Sequence, residues 1–134
     1  MKALIVEDDL TSRMLLEKIL SPFFQCHSVE NGLEAVNIFR EAHENQAPYD
    51  LLALDIMMPI MDGHSALMAI REIESKLQVP PGQEIKVVMT TSLSDSKSIT
   101  EAFSSGQADG YITKPFSKNK VLEVLQDLHL LELP

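Results

Sequence analysis

Leu51-Leu52-Ala53-Leu54-Asp55-Ile56-Met57-Met58-Pro59-Ile60-Met61-Asp62-Gly63 is the stretch on which the reading of this chain turns. Its first four residues are apolar without interruption, as in a strand covered on both faces of a parallel sheet. The run stops at a carboxylate. Proline, acid and glycine then mark a loop and the start of a helix. An ionised Asp55 at the end of a buried strand is costly unless partnered, so its partners should lie elsewhere in the chain.

Working outward, the same alternation recurs. Short apolar runs at residues 3–6, 25–29, 51–54, 85–89 and 110–112 each lead into a stretch of helical period. The run at 25–29 is the most polar and reads as an edge strand. The helical stripes are Met14, Leu15, Ile19 and Leu20; Leu33, Val36, Phe39 and Ala42; Leu67, Ile70, Ile73 and Leu77; Ile99, Ala102 and Phe103; and Val121, Val124, Leu125 and Leu128. Thr11 (or Asp9), Asn31-Gly32, Asp62-Gly63, Asp95 and Ser117 are the expected helix starts. Five strand–helix pairs predict a doubly wound α/β fold with right-handed crossovers and helices on both faces of a five-stranded parallel sheet.

Composition bounds the function. The 134 residues fit one domain, expected to span 1–134 with its core at about 3–128. A hydrophobic share of 45% excludes a disordered chain. Eleven basic against 20 acidic residues give a net charge of −9, which opposes direct binding to nucleic acid or to an anionic membrane surface. The lone Cys26 cannot form an internal disulfide and suits a reducing compartment. No signal peptide or membrane span is evident, and a cytoplasmic location is expected.

In open α/β sheets, ligands bind beyond the carboxyl ends of the strands. The residues just past each apolar run are therefore diagnostic: Glu7-Asp8-Asp9, Asp55, Thr90-Thr91-Ser92 and Lys114-Pro115. Two carboxylates about 4 Å apart repel by roughly 4 kcal/mol at an effective dielectric near 20, so Glu7, Asp8 and Asp55 need a proton or a cation between them. Hard oxygens without a nearby His or Cys favour Mg²⁺ (or Mn²⁺). A carboxylate can also act as nucleophile toward a phosphoryl group, given a cation, a lysine and a hydroxyl. Asp8, Lys114 and Thr91 supply these.

With these motifs in place, the chain resembles the receiver domains of two-component response regulators, of the single-domain chemotaxis-regulator type. The resemblance is carried by Leu4-Ile5-Val6-Glu7-Asp8-Asp9, Asp55-Ile56-Met57-Met58-Pro59-Ile60-Met61-Asp62-Gly63 and Tyr111-Ile112-Thr113-Lys114-Pro115-Phe116. It implies a flavodoxin-like three-layer sandwich of strand order 2-1-3-4-5 with five helices and no output domain. It implies that Asp55 is the phosphoacceptor and that Glu7, Asp8, Asp55 and the backbone carbonyl of Met57 hold Mg²⁺. Lys114 would meet the phosphoryl group and precede a cis bond to Pro115. Thr91, in preference to its neighbour Thr90, would be the switch hydroxyl, and Tyr111 the rotating aromatic.

The implied function is signalling, not turnover of a substrate. A sensor histidine kinase or histidine phosphotransfer protein would donate the phosphoryl group. A downstream protein would then read the face formed by the fourth helix, fifth strand and fifth helix, where Lys97, Lys118, Asn119 and Lys120 lie. A monomer or a phosphorylation-dependent dimer is expected. Met57 and Leu93, both apolar, would border the path of hydrolytic water and predict a long-lived phosphoryl state. The alternatives are a phosphorylation-independent docking module, a phosphatase with an aspartate nucleophile (which needs a second acid where Met57 stands) and a flavodoxin-like electron carrier. Arg13 and Arg71 read as solvated helix residues, His27, His43, His64 and His129 as scattered surface residues, and Cys26 as a small apolar group.

Overall fold

A computed structural model describes residues 1–92 and 108–131. The strands are β1 (Lys2–Val6), β2 (Gln25–Val29), β3 (Leu51–Asp55), β4 (Lys86–Thr91) and β5 (Gly110–Thr113). They form one parallel sheet of order β2-β1-β3-β4-β5, with the polar β2 at an edge as its composition predicts. The described helices are α1 (Leu10–Leu20), α2 (Gly32–Glu44), α3 (Gly63–Lys76) and α4 (Lys118–Asp127). The stripe Ile99, Ala102 and Phe103, its expected start at Asp95, and Leu93 and Lys97 lie outside the described residues.

Alternation along the strands divides the core. Leu4, Val6, Leu52, Leu54, Val87 and Met89 pack under α2 and α3, whereas Ala3, Ile5, Leu51, Ala53, Val88 and Ile112 pack under α1 and α4. Leu128, Leu130 and Leu131 fold back onto the second layer, so the apolar tail is packed through these residues. Helix starts fall where short polar side chains accept from the first turn. Asp9 accepts from Ser12 N, Asn31 from Glu34 N, Asp62 from Ser65 N and Ser117 from Lys120 N. Asp9 rather than Thr11 thus caps α1.

The α1 stripe differs from its sequence reading. Leu16, Ile19 and Leu20 are buried, while Met14 and Leu15 are exposed. At roughly 100° per residue, Met14 lies about 200° around the helix from Leu16, so both cannot face the sheet. Leu33 and Leu77, at the two ends of their stripes, are likewise exposed.

Arg71 is not solvated. It donates to Glu74 Oε1 (2.8 Å), to the Ile85 carbonyl (2.9 Å) and to Asp109 Oδ2 (3.2 Å). Buried Glu74 also accepts from Ile85 N at 2.7 Å, and Asp109 from Val87 N at 2.8 Å. This network binds α3 to the amino ends of β4 and β5. His27, half-buried, shares a 2.6 Å hydrogen bond with Tyr49 Oη, so it too departs from a surface reading.

The loop after β3 is tight at two places. Met61 N donates to the Pro59 carbonyl at 2.7 Å, closing a three-residue turn around Ile60, whose φ is +70° although its side chain is 78% exposed. Further on, a Cβ on Gly63 would stand 2.4 Å from the Asp55 carbonyl oxygen and 2.8 Å from Ile56 Cα, both backbone atoms. Only glycine lets α3 begin this close to the end of β3.

Two outcomes are expected from these contacts. Left-handed backbone costs a side-chain-bearing residue about 1–2 kcal/mol, and glycine loses about 0.5–1 kcal/mol in chain entropy, so Ile60→Gly should raise stability by roughly 0.5–1 kcal/mol. Urea unfolding checks it, and a loss of stability would refute the strain. Gly63→Ala should cost about 1–3 kcal/mol by overpacking, read in the same titration. A neutral result would show that the β3–α3 junction can yield.

Candidate functional site

Because β1 pairs with both β2 and β3, and β4 lies between β3 and β5, four strand ends open on one edge. Continuing the alternation of the α1/α4 layer, Ala3-Ile5 leads to Glu7, Leu51-Ala53 to Asp55, Val88 to Thr90 and Ile112 to Lys114. The structure brings the acids and the lysine together. Lys114 Nζ lies 2.5 Å from Glu7 Oε1 and 3.4 Å from Asp55 Oδ2. Glu7 is 1% exposed and Asp55 3%, while Asp8 is exposed at the rim. Asp55 is further held by its own loop, since Met57 N donates to Oδ1 at 3.2 Å. The Lys114–Pro115 bond is cis, as the resemblance implies.

The register sets Thr90 directly beside Asp55 and Thr91 beside Thr113. Alternation therefore puts Thr90 on the face of Asp55 and Thr91 on that of Met89. Both threonines are buried. The Thr91 hydroxyl donates to the Ser92 carbonyl (3.0 Å), and its own carbonyl accepts from Lys114 N (2.7 Å), so Thr91 is joined to the lysine through the backbone. Tyr111, on β5, is 45% exposed. Lys118, Asn119 and Lys120 are exposed in the first turn of α4.

Arg13, which reads from the sequence as a solvated helix residue, is instead largely buried against the acidic turn. Its guanidinium donates to the Glu7 carbonyl at 2.9 Å and lies 3.5 Å from Glu30 Oε1. The available signal was its place in the first turn of α1, since helical side chains lean toward the N-terminus and here toward the loop that carries the acids.

The donor chemistry suits a hard divalent cation. Glu7, Asp8 and Asp55 each offer one carboxylate oxygen, and these lie within 4.8 Å of one another. Among the described residues Glu7 Oε1 is met by Lys114, and no donor is found at the buried Oε2. A buried oxygen without a donor is one a cation could satisfy.

Without a cation, a proton takes that role. Burial pushes the Glu7 carboxyl up to about 8; the neighbouring Asp55 adds to the shift and Lys114 opposes it. For Lys114, burial disfavours the ammonium, but bonding and attraction from Glu7 and Asp55 outweigh it and raise its pKa. Folded Glu7 thus keeps its proton where the unfolded chain releases it, so stability is full below the ordinary glutamate range and falls as pH rises through about 8. The metal-free protein should accordingly lose thermal stability between about pH 5 and pH 8, and Glu7→Gln should flatten that slope. Identical slopes in the two proteins would show that Glu7 is ionised throughout.

The chain resembles known proteins over nearly its full length. The family model of the response regulator receiver domain matches residues 3–126. The chain is 35% identical over 128 residues to the chemotaxis protein CheY of Halobacterium salinarum, covering 95% of each. It is 32% identical over 126 residues to CheY of Bacillus subtilis, covering 92% of this chain and 93% of the other. A structure of a CheX–CheY–BeF₃–Mg²⁺ complex from Borrelia burgdorferi superposes with a TM-score of 0.78 at 28% identity, over 96% of this chain and 88% of that one. Among the described residues no helix is long and apolar enough to cross a membrane. With its strand order, its acidic strand ends and this match over nearly its full length, the chain belongs to the response regulator receiver domain family.

Proposed function

We propose that this receiver accepts a phosphoryl group on Asp55 from a phosphohistidine of a sensor kinase or histidine phosphotransfer protein, with Mg²⁺ held by Glu7, Asp8, Asp55 and the Met57 carbonyl. The observation that carries this reading is the meeting of Asp55, Glu7 and Lys114 at adjoining strand ends. The presence of BeF₃ and Mg²⁺ in the named Borrelia complex supports it. A bound divalent ion supplies positive charge to the phosphoryl oxygens. The chain's own residues do the rest.

Asp55 is oriented by Met57 N and Lys114 before any donor arrives. An Asp55 oxygen forms a bond to phosphorus as the donor's P–N bond breaks, and that electron pair stays on the donor nitrogen. Lys114 then neutralises charge on the transferred group. The added group carries about −1.5 to −2 charges by analogy with hydroxyl phosphates. It biases a pre-existing equilibrium in which Thr91 supplies the switch hydroxyl and Tyr111 turns. Strand β5 and α4 then present an altered face to a partner protein. The chain acts by contact and does not turn over a substrate.

Incubation with acetyl phosphate and Mg²⁺ should add one phosphoryl mass to the wild type and none to Asp55→Asn, as read by intact-protein mass spectrometry. Equal labelling of both, or none of the wild type, would refute the assignment. In the same assay Met57→Asn should lose the label faster than wild type, because a polar side chain there can orient water. An unchanged or slower loss would remove Met57 as the cause of a long-lived state.

A further inference from the structure

We infer that Arg13 is a positioning residue for the cation site, acting through the Glu7 carbonyl to set the direction of Asp8; this rests on the reading of Glu7 and Asp8 as cation carboxylates. The acidic turn is anchored on both sides of Asp8 and nowhere at Asp8 itself. Glu7 N donates to the Val29 carbonyl of β2 at 3.1 Å, and the Glu7 carbonyl accepts from Arg13 at 2.9 Å. Asp9 is fixed as the cap of α1, its Oδ2 accepting from Ser12 N at 2.9 Å and its carbonyl from Arg13 N at 2.9 Å. Asp8 makes no hydrogen bond among the described residues, yet its carboxylate belongs to the three-oxygen set.

The peptide unit is planar, so fixing the Glu7 C=O also orients the Asp8 N–H and the position of its Cα. Arg13 therefore fixes, through the backbone, the point from which the Asp8 side chain departs. The Arg13 side chain is only 15% exposed, and its other contact, to an exposed Glu30 at 3.5 Å, is of the weak surface kind. The carbonyl bond is the one that matters.

Charge and positioning make opposite predictions. A guanidinium beside a cation site repels the cation, so by charge alone its removal should tighten Mg²⁺ binding. By positioning, its removal should weaken binding, as loss of a residue that orients metal ligands does by about tenfold or more. Isothermal titration of Mg²⁺ into metal-free protein tests this with Arg13→Met, which keeps the apolar stem. Affinity should fall about tenfold, Arg13→Lys should recover part of it, and Glu30→Gln should leave it within about twofold. Circular dichroism identifies any variant that fails to fold, in which case Arg13→Lys and Arg13→Gln take the place of Arg13→Met. Unchanged or tighter binding by a folded Arg13 variant overturns the inference while leaving the cation site standing. Absence of Mg²⁺ binding by the wild type overturns both.

Discussion

Lys114 Nζ stands 2.5 Å from Glu7 and 3.4 Å from Asp55, and this three-body contact governs the carboxyl edge of the sheet. Two buried carboxylates and one ammonium leave an excess of negative charge that neighbouring β1 and β3 force together. With Asp8 at the rim, the excess grows. The fold can carry it only with a proton on Glu7 or with added positive charge. The same imbalance suits the edge to a cation. The strand order creates this condition, because any order that separated β1 from β3 would separate the acids.

Most of the architecture is legible in the sequence for a simple reason. A parallel strand covered on both faces must be apolar throughout, so residues 51–54 and 3–6 stand out without knowledge of their neighbours. The acids and lysine stand out because they interrupt such runs. Helix faces are less legible. α1 carries Leu10, Met14, Leu15, Leu16, Ile19 and Leu20, more apolar residues than one face can bury, and only the register of its Asp9 cap decides among them. Arg13 and Arg71 escaped notice because their acceptors include backbone carbonyls of Glu7 and Ile85, which no side-chain pattern reveals.

Thr90 and Thr91 show a different limit. Adjacent identical residues cannot be separated by composition, and at a strand end alternation is the sole guide to facing. The register gives Thr90 the place beside Asp55 and gives Thr91 the backbone link to Lys114. The motif resemblance favours Thr91, and the pairing geometry favours Thr90 as the nearer neighbour. Thr91 is also the last residue of its strand, where alternation constrains facing least.

Comparison of the two buried glutamates indicates which part of the fold is shaped by something other than stability. Glu74 is satisfied: Arg71 donates to one oxygen and Ile85 N to the other. Nothing about it requires a further ligand, and it serves to lock α3 to the sheet. Glu7, equally buried, is met at one oxygen by Lys114 and at the other by no donor among the described residues. Replacing such a pair by well-packed apolar groups is often neutral or stabilising, so packing does not explain it. A few residues beyond Asp55, Ile60 is held at φ +70° with its side chain in solvent, another local cost without a packing return. The glutamate that the core does not need is the one that meets Lys114 beside Asp55 at the strand ends.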